Sequence, residues 1–201
     1  MDKKYWESYY KTTEIFEQSD FAEFVLRYIK PTESIIDLGC GTGRDSIYFA
    51  NNSITTIAVD QSETAIDNLN NVCNDYLSTI CVDLKDLDMS DITHAYSRFS
   101  LHSIEEDTEN ILLHNIKNNI SDKFFIEVRS DKDKLVNQTT DHYRRFINFE
   151  SLLTKLITFG FKINYAELSK GFSIYNTKFN VNYNELDPTL IRIVCTIPKK
   201  E

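Results

Sequence analysis

The sequence predicts an α/β fold: a doubly wound, mostly parallel seven-stranded sheet with an antiparallel last strand. Three observations support this fold class. Short apolar runs alternate with helical patterns along the chain, which is typical of a parallel sheet covered by helices. Three of only five glycines cluster within residues 34–50, between the first apolar run and the first helical pattern. The length of 201 residues suits one such domain.

The predicted strands share short apolar or β-branched runs, most of them bounded by polar residues or glycine. In chain order they cover residues 35–38, 55–60, 79–82, 92–96, 123–128, 161–168 and 189–197. Residues 85–91 are too short and polar for a full helix between the third and fourth strands. The last strand begins after Pro188 and is expected to insert antiparallel.

The predicted helices follow the strands. One helix starts after the glycine cluster, a second opens at Ser62, and a third is capped by Asp107 or Thr108. A fourth spans residues 149–158, and Gly160 is expected to be its C-cap. Residues 1–33 form an N-terminal helical extension, and residues 34–201 form the main domain. In the extension, the aromatic and apolar spacing of residues 21–28 predicts a helix packed on the sheet.

Composition excludes several classes of function. The net charge of −9 and the absence of a basic run argue against a nucleic acid or an anionic membrane as partner. No apolar stretch is long enough to span a membrane, and the N-terminus lacks a signal-peptide pattern, so a cytoplasmic location is expected. The cysteines lie in or beside apolar runs and are expected to be buried, reduced thiols; they are Cys40, Cys73, Cys81 and Cys195. No metal site is predicted.

The glycine cluster indicates which ligand the sheet binds. It has the sequence D-L-G-C-G-T-G, and the third glycine of a dinucleotide-binding turn would fall at Arg44. An acid, Asp37, precedes the first glycine by two residues. Asp60 ends the second strand, where its carboxylate can accept hydrogen bonds from both hydroxyls of a ribose. An ordinary strand-to-helix turn that happens to contain glycines is the alternative interpretation.

These motifs resemble the class I S-adenosylmethionine-dependent methyltransferases, whose first motif is an acid followed by G-x-G-x-G. The resemblance implies a Rossmann-like methyltransferase fold and S-adenosylmethionine as cofactor. It also implies that Asp83 contacts the adenine amine, although a solvated turn aspartate is the alternative. The cofactor-binding residues expected on this basis are Asp37, Gly39, Cys40, Gly41, Gly43, Asp60, Gln61, Asp83 and Leu84. Trp6 and Tyr10 are candidate lid residues over the cofactor, with simple packing as the alternative.

The second substrate is expected at the rim beyond strands four and five. Arg98 and His102 lie four residues apart there and are the candidate catalytic residues. Most of the arginines fall in segments that project to this rim, and arginine holds phosphate or carboxylate in a bidentate way. A small anionic substrate is therefore predicted, with pairing to surface acids as the alternative. Its candidate binding residues are Arg129, His142, Tyr143, Arg144, Arg145 and Arg192.

The rim segments Y-S-R-F-S-L-H-S-I, I-E-V-R-S, H-Y-R-R-F and D-P-T-L-I-R-I are similar to bacterial methyltransferases of capsule and surface-polysaccharide biosynthesis. The continuation G-R-D-S of the glycine motif is similar to tellurite-resistance-type methyltransferases. The sequence thus predicts methyl transfer to an oxygen of a small anionic metabolite. A base is needed only if the acceptor is a hydroxyl, and His102, then His142 and Glu127, are the candidates. A non-catalytic cofactor-binding protein and an N- or S-methyltransferase are the alternatives.

Overall fold

The computed structural model describes residues 3–72, 74–132, 142–145, 147–171 and 188–198. The helices in this part of the chain are α1 (Lys3–Tyr10), α2 (Asp20–Leu26), α3 (Arg44–Asn51), α4 (Glu63–Asn70), α5 (Glu106–Asn119) and α6 (Phe149–Thr158). The strands are β1 (Ser34–Leu38), β2 (Thr55–Asp60), β3 (Leu77–Cys81), β4 (Ile92–Arg98), β5 (Ile120–Arg129), β6 (Lys162–Ser169) and β7 (Leu190–Thr196).

The strands form one seven-stranded sheet in the order β3-β2-β1-β4-β5-β7-β6. The first five strands of that order pair in parallel, and β7 pairs antiparallel with both β5 and β6. The predicted fold class is confirmed, including the antiparallel insertion of the last strand. Because β1, β2 and β4 end at one edge of the sheet, the glycine turn, Asp60 and Arg98 all lie at that edge.

Two apolar clusters cover the faces of the sheet. The larger joins β1, β4, β5 and β7 to α5 and α6. The smaller contains Phe21 and Val25 of α2, packed with Phe49, Tyr96 and Phe125. The predicted N-terminal helix on the sheet is therefore present as α2. In contrast, α1 contributes no buried residue to either cluster.

Several element boundaries differ from the sequence predictions. Strand β3 starts at Leu77, two residues early, and β5 extends back to Ile120. Helix α5 starts at Glu106 after Glu105, which makes no side-chain capping bond, so the prediction of a cap at Asp107 or Thr108 was wrong. The acids of this first turn favour the helix through its dipole without a capping bond. Gly160 follows α6 with a φ of 86°, as expected for the residue that ends a helix.

The cysteine prediction is partly corrected. Cys195 is buried in the core and Cys40 is half-buried, but Cys81 is exposed because it ends the edge strand β3. Cys73 lies outside the described residues. In the described ranges, no three His, Cys, Asp or Glu side chains form a group that could hold a metal ion. No helix within those ranges is both long and apolar enough to cross a bilayer.

Candidate active site

The glycine turn after β1 is tight for both conformational and steric reasons. Gly39 and Gly41 have φ angles of 78° and 56°, in the left-handed region that disfavours a side chain. A Cβ atom at Gly39 would lie 2.5 Å from the Ser100 hydroxyl, and one at Gly41 would lie 2.8 Å from the Tyr10 hydroxyl. The turn therefore exposes bare backbone between Ser100 on one side and the α1 helix on the other.

A cavity of about 900 Å³ opens at this edge of the sheet. The predicted site residues that line it are Trp6, Tyr10, Asp37, Gly39, Cys40, Gly41, Asp60, Gln61, Leu84, Arg98, His102, Arg129 and Arg144. The structure thus brings the glycine turn, the lid candidates and both candidate catalytic residues around one space. The predicted site residues that do not line it are Gly43, Asp83, His142, Tyr143, Arg145 and Arg192.

Asp60 sits at the tip of β2, as its position at the end of an apolar run predicted. Its carboxylate accepts hydrogen bonds from the backbone N–H groups of Gly41 at 3.0 Å and Ser62 at 2.9 Å. Burial raises its pKa, while these backbone bonds act in the opposite direction. Asp60 therefore fixes the glycine turn to the start of α4 and still faces the cavity.

Asp37 is a second buried carboxyl beside the turn. It accepts a hydrogen bond from the Ser46 hydroxyl at 2.5 Å. Burial raises the pKa of Asp37 to about 7, and the neighbouring Asp45 and Asp60 add to that shift. Three acids therefore crowd one end of the cavity, where a cationic group of a ligand would relieve their mutual repulsion.

The third acid, Asp45, was missed by the sequence analysis. It accepts hydrogen bonds from the Ser19 N–H at 2.7 Å, the Ser19 hydroxyl at 2.8 Å and the Tyr96 hydroxyl at 2.7 Å. All three residues line the cavity. Only the G-R-D-S continuation of the glycine motif hinted at Asp45, because its partners come from distant segments.

Helix α1 lies against both α4 and the residues that follow β5. The Glu7 carboxylate accepts the N–H groups of Glu63 at 2.8 Å and Thr64 at 3.2 Å, at the N-terminus of α4. The Trp6 and Tyr10 rings stack with centroids 5.8 Å apart. His142 stacks on Tyr5 of α1 with ring centroids 4.3 Å apart, so it contacts α1 and does not line the cavity.

Arginines and a buried glutamate occupy the other end of the cavity. Glu127 on β5 accepts a hydrogen bond from Arg98 Nε at 2.9 Å and one from Arg192 Nε at 2.5 Å. In the sheet register, Arg98, Glu127, Arg192 and Glu167 are consecutive partners across four strands. Arg192 is buried in this row, so the structure corrects its assignment to substrate binding. Glu127, with both oxygens bonded to arginines, is not a candidate base.

Arg145 also differs from its prediction. Its guanidinium donates to the carboxylate of Glu109 and to the Leu101 carbonyl, the latter at 2.8 Å. It therefore anchors the segment after β5 to α5 and does not face the cavity. Arg129 and Arg144 do line the cavity and, with Arg98, remain the candidates for binding an anion. Tyr143 is exposed.

His102 is buried between these arginines. Its Nδ1 atom has no hydrogen-bond partner among the residues that the structure describes. Burial lowers the pKa of His102 well below its usual value, and the positive charges of Arg144 and Arg129 lower it further. The imidazole is therefore neutral at pH 7 and presents an unused polar atom within the cavity wall.

Two cofactor predictions need correction. Gly43 has a φ of 74° and a Cβ there would lie 2.5 Å from a Leu69 methyl carbon, so this glycine allows α3 and α4 to pack closely. Asp83 is half-buried, and its carboxylate accepts the Lys85 N–H at 3.2 Å without lining the cavity. Its neighbour Leu84 does line the cavity, so the segment after β3 that was predicted to contact adenine reaches the cavity through Leu84 and not through Asp83.

Comparison with known proteins identifies the family. Residues 1–122 match the family model described as tellurite resistance protein TehB. The chain belongs to the TehB family. This confirms the resemblance to tellurite-resistance-type, class I methyltransferases, and the TehB-family chain is an S-adenosylmethionine-dependent methyltransferase. No curated protein sequence matches it.

Solved structures share the fold of this TehB-family chain at low sequence identity. A TehB-like methyltransferase from Corynebacterium glutamicum is 16% identical with a TM-score of 0.69, covering 97% of this chain and 99% of its own. The Haloferax volcanii complex of the Trm112 methyltransferase activator with a methyltransferase gives 15% identity and a TM-score of 0.76, with 100% and 97% covered. The magnesium protoporphyrin IX methyltransferase from Synechocystis, with bound S-adenosylhomocysteine, gives 14% identity and a TM-score of 0.66, with 89% and 80% covered.

The residues of the TehB-family cavity fit S-adenosylmethionine. The bare backbone of Gly39 and Gly41 gives the close approach that a ligand needs, and Asp60 at the strand tip suits a ribose. The crowded acids Asp37 and Asp45 match the positive charge of the methionine part. Leu84 and the Trp6 and Tyr10 rings add apolar walls for the adenosyl group.

Proposed function

We propose that the protein transfers a methyl group from S-adenosylmethionine to an oxygen of a small anionic metabolite. One observation carries the proposal: a single cavity joins the acidic glycine-turn end to an end lined by Arg98, Arg129 and Arg144. A phosphorylated, phosphoramidate or nucleotide-sugar-like acceptor suits such an end, because guanidinium groups bind phosphate oxygens in a bidentate way. The sequence resemblance noted above supports a role in capsule or surface-polysaccharide biosynthesis.

The protein's part in this reaction is alignment and exclusion of water. When bound, the cofactor supplies a methyl group on a positively charged sulfur. Asp60 and the glycine turn would hold the nucleoside end, and Asp37 would accept a hydrogen bond from the amino group. Arginines at the opposite end would hold the acceptor anion beside the cofactor. Helix α1, through Trp6 and Tyr10, shields this space from solvent.

The state of His102 favours an acceptor that already carries a negative charge. Removing a proton from a hydroxyl would leave His102 positively charged beside Arg129 and Arg144, which its lowered pKa opposes. An oxyanion needs no base, and neutral His102 then acts as a hydrogen-bonding partner that orients it. If the acceptor is a hydroxyl, His102 is still the candidate base, because a bound anion would offset the arginine charges.

The experiment that tests this proposal has two stages. Calorimetry with S-adenosylmethionine and S-adenosylhomocysteine measures cofactor binding. A screen with radiolabelled methyl donor then compares phosphorylated sugars, nucleotide-sugars and phosphoramidates with uncharged analogues. We expect label to appear only in anionic acceptors, as a methyl phosphate ester if a phosphate oxygen is the acceptor or as a methyl ether if a hydroxyl is. Cofactor binding without transfer to any anion would contradict the proposal and favour a non-catalytic binding protein. Transfer to nitrogen or sulfur would contradict the oxygen assignment.

A further inference from the structure

We infer that Phe99 is a positioning residue for the acceptor: its ring holds the Arg98 and Arg129 guanidiniums at the spacing that the anion requires. The inference rests on the proposed function, since it concerns the arginine-lined end of the same cavity. Phe99 follows β4 directly and lines that cavity. No motif in the sequence marks Phe99 as a site residue.

The backbone of Phe99 is in an unfavourable conformation. Its φ angle is 60°, in the left-handed region that bulky side chains rarely adopt. Ser53 and Asp91 share this feature in the described part of the chain, but both are exposed, polar residues outside the cavity lining. Strain at an aromatic residue beside a cavity is typical of a functional constraint.

Hydrogen bonds on both sides maintain this conformation. The Phe99 N–H donates to the Glu127 carbonyl at 2.8 Å, which ties the turn to β5. The next residue, Ser100, donates its hydroxyl to the Leu38 carbonyl at 2.6 Å, directly before the glycine turn. Phe99 is thus fixed between the strand that carries Glu127 and the turn that faces the cofactor.

The ring lies among the groups proposed to hold the acceptor. Arg98 Cζ is 4.2 Å from the ring centroid, and Arg129 Cζ is 5.8 Å from it. The His102 ring centroid is 5.8 Å away. A guanidinium near an aromatic face is attracted by the ring quadrupole, so one ring can hold two cations that repel each other. Two guanidiniums kept near one ring suit an anion that offers at least two oxygens.

Anion binding should require the aromatic ring of Phe99, and not merely an apolar side chain at this position. Phe99→Leu keeps an apolar side chain and the strained backbone but removes the aromatic face, whereas Phe99→Tyr keeps the face. We would measure binding of inorganic phosphate by calorimetry on the chain loaded with S-adenosylhomocysteine. Phosphate affinity should fall about tenfold in Phe99→Leu and stay within about twofold in Phe99→Tyr. The affinity for S-adenosylhomocysteine should be the same in both.

A second readout does not depend on phosphate. The Nε–Hε proton of Arg98 should show a ring-current shift in the NMR spectrum of the parent chain that disappears in Phe99→Leu. If Phe99→Leu does not fold, Phe99→Gly removes the ring and relaxes the backbone, and takes its place.

The results distinguish a failure of the role proposed for Phe99 from a failure of the proposed anionic acceptor. Equal phosphate affinity in the parent chain and Phe99→Leu would overturn the role of Phe99 while the anionic acceptor stands. Absence of the ring-current shift in the parent chain would overturn it as well. If the parent chain binds no phosphate although the shift is present, the anionic acceptor itself is wrong, and the role of Phe99 in holding it is overturned with it.

Discussion

The two ends of the cavity are built in different ways. At the cofactor end, Asp37 and Asp60 lie in the last residues of β1 and β2, Gly39 and Gly41 lie in the turn after β1, and backbone conformation places them. At the acceptor end, arginine side chains reach the cavity from separate segments and are partly neutralised by buried Glu127. The first end is acidic and local in sequence, whereas the second is basic and assembled from distant residues.

This contrast matches the charges of the two ligands. The acids Asp37, Asp45 and Asp60 line the end where the cofactor, with its positive sulfur and amino group, would bind. The arginines face a proposed anion. Glu127 bonds both Arg98 and Arg192, and with Glu167 the row holds two arginines and two glutamates. Further positive charge at this end of the cavity comes from Arg129 and Arg144. Changes confined to one end should therefore affect one ligand and leave the other unaffected.

The largest expected effect concerns the acceptor end. Arg98→Ala and His102→Ala should each reduce turnover by roughly 100-fold, because each removes a group that holds or orients the acceptor. S-adenosylhomocysteine affinity, measured by calorimetry, should remain within about twofold of that of the parent chain. Arg27→Ala, at an exposed position, is the matched control. Unchanged turnover in both variants would place the acceptor elsewhere.

The next effect concerns the cofactor end. Asp60→Asn keeps the shape of the side chain but removes its charge and one acceptor oxygen. We expect S-adenosylhomocysteine affinity to fall roughly 30-fold, since hydrogen bonds to a charged group contribute about 1.5–3 kcal/mol. Calorimetry gives the affinity, and Asp88→Asn on an exposed loop is the control. If Asp88→Asn lowered the affinity for S-adenosylhomocysteine by the same factor, the effect would not be specific to Asp60.

The pH dependence of cofactor binding tests the acidic end further. The pKa of Asp37 is raised to about 7 in the free chain, so the carboxyl is mostly protonated at pH 6 and mostly ionised at pH 8. Only the ionised form attracts the ligand's ammonium group. Affinity for S-adenosylhomocysteine should therefore rise about tenfold from pH 6 to pH 8. Calorimetric titrations in Asp37→Asn should show a much flatter profile; an unchanged slope would exclude Asp37 as the titrating group.

The smallest effect concerns the turn that joins the two ends. Phe99→Gly and Phe99→Ala both remove the ring, but only glycine accepts a φ of 60° without strain. Phe99→Gly should therefore be more stable to urea than Phe99→Ala by about 1 kcal/mol. The reverse order would show that the backbone at this position relaxes easily and that the conformation is not enforced.

The cofactor end could be predicted from the sequence because glycines and strand-end acids act through local backbone geometry. The sheet was predictable for the same reason, since each strand has its own apolar run. Partners of the arginines could not be predicted. Arg192 meets Glu127 only because β7 inserts beside β5, and the sequence does not give that register. Sequence alone likewise could not show that Asp45 joins Ser19 to Tyr96, or that Phe99 adopts a left-handed conformation.

The alternating row across β4, β5, β7 and β6 restricts how this protein can diverge. Glu127 is only 1% exposed, and replacing it by a neutral residue would remove the carboxylate that Arg98 and Arg192 share, at a loss of about 3–5 kcal/mol. A substitution of Arg98, Glu127 or Arg192 alone is therefore expected to destabilise the protein. In relatives of this protein the four positions should be exchanged together, so that correlated substitutions trace the acceptor end of the cavity even where no single residue is retained.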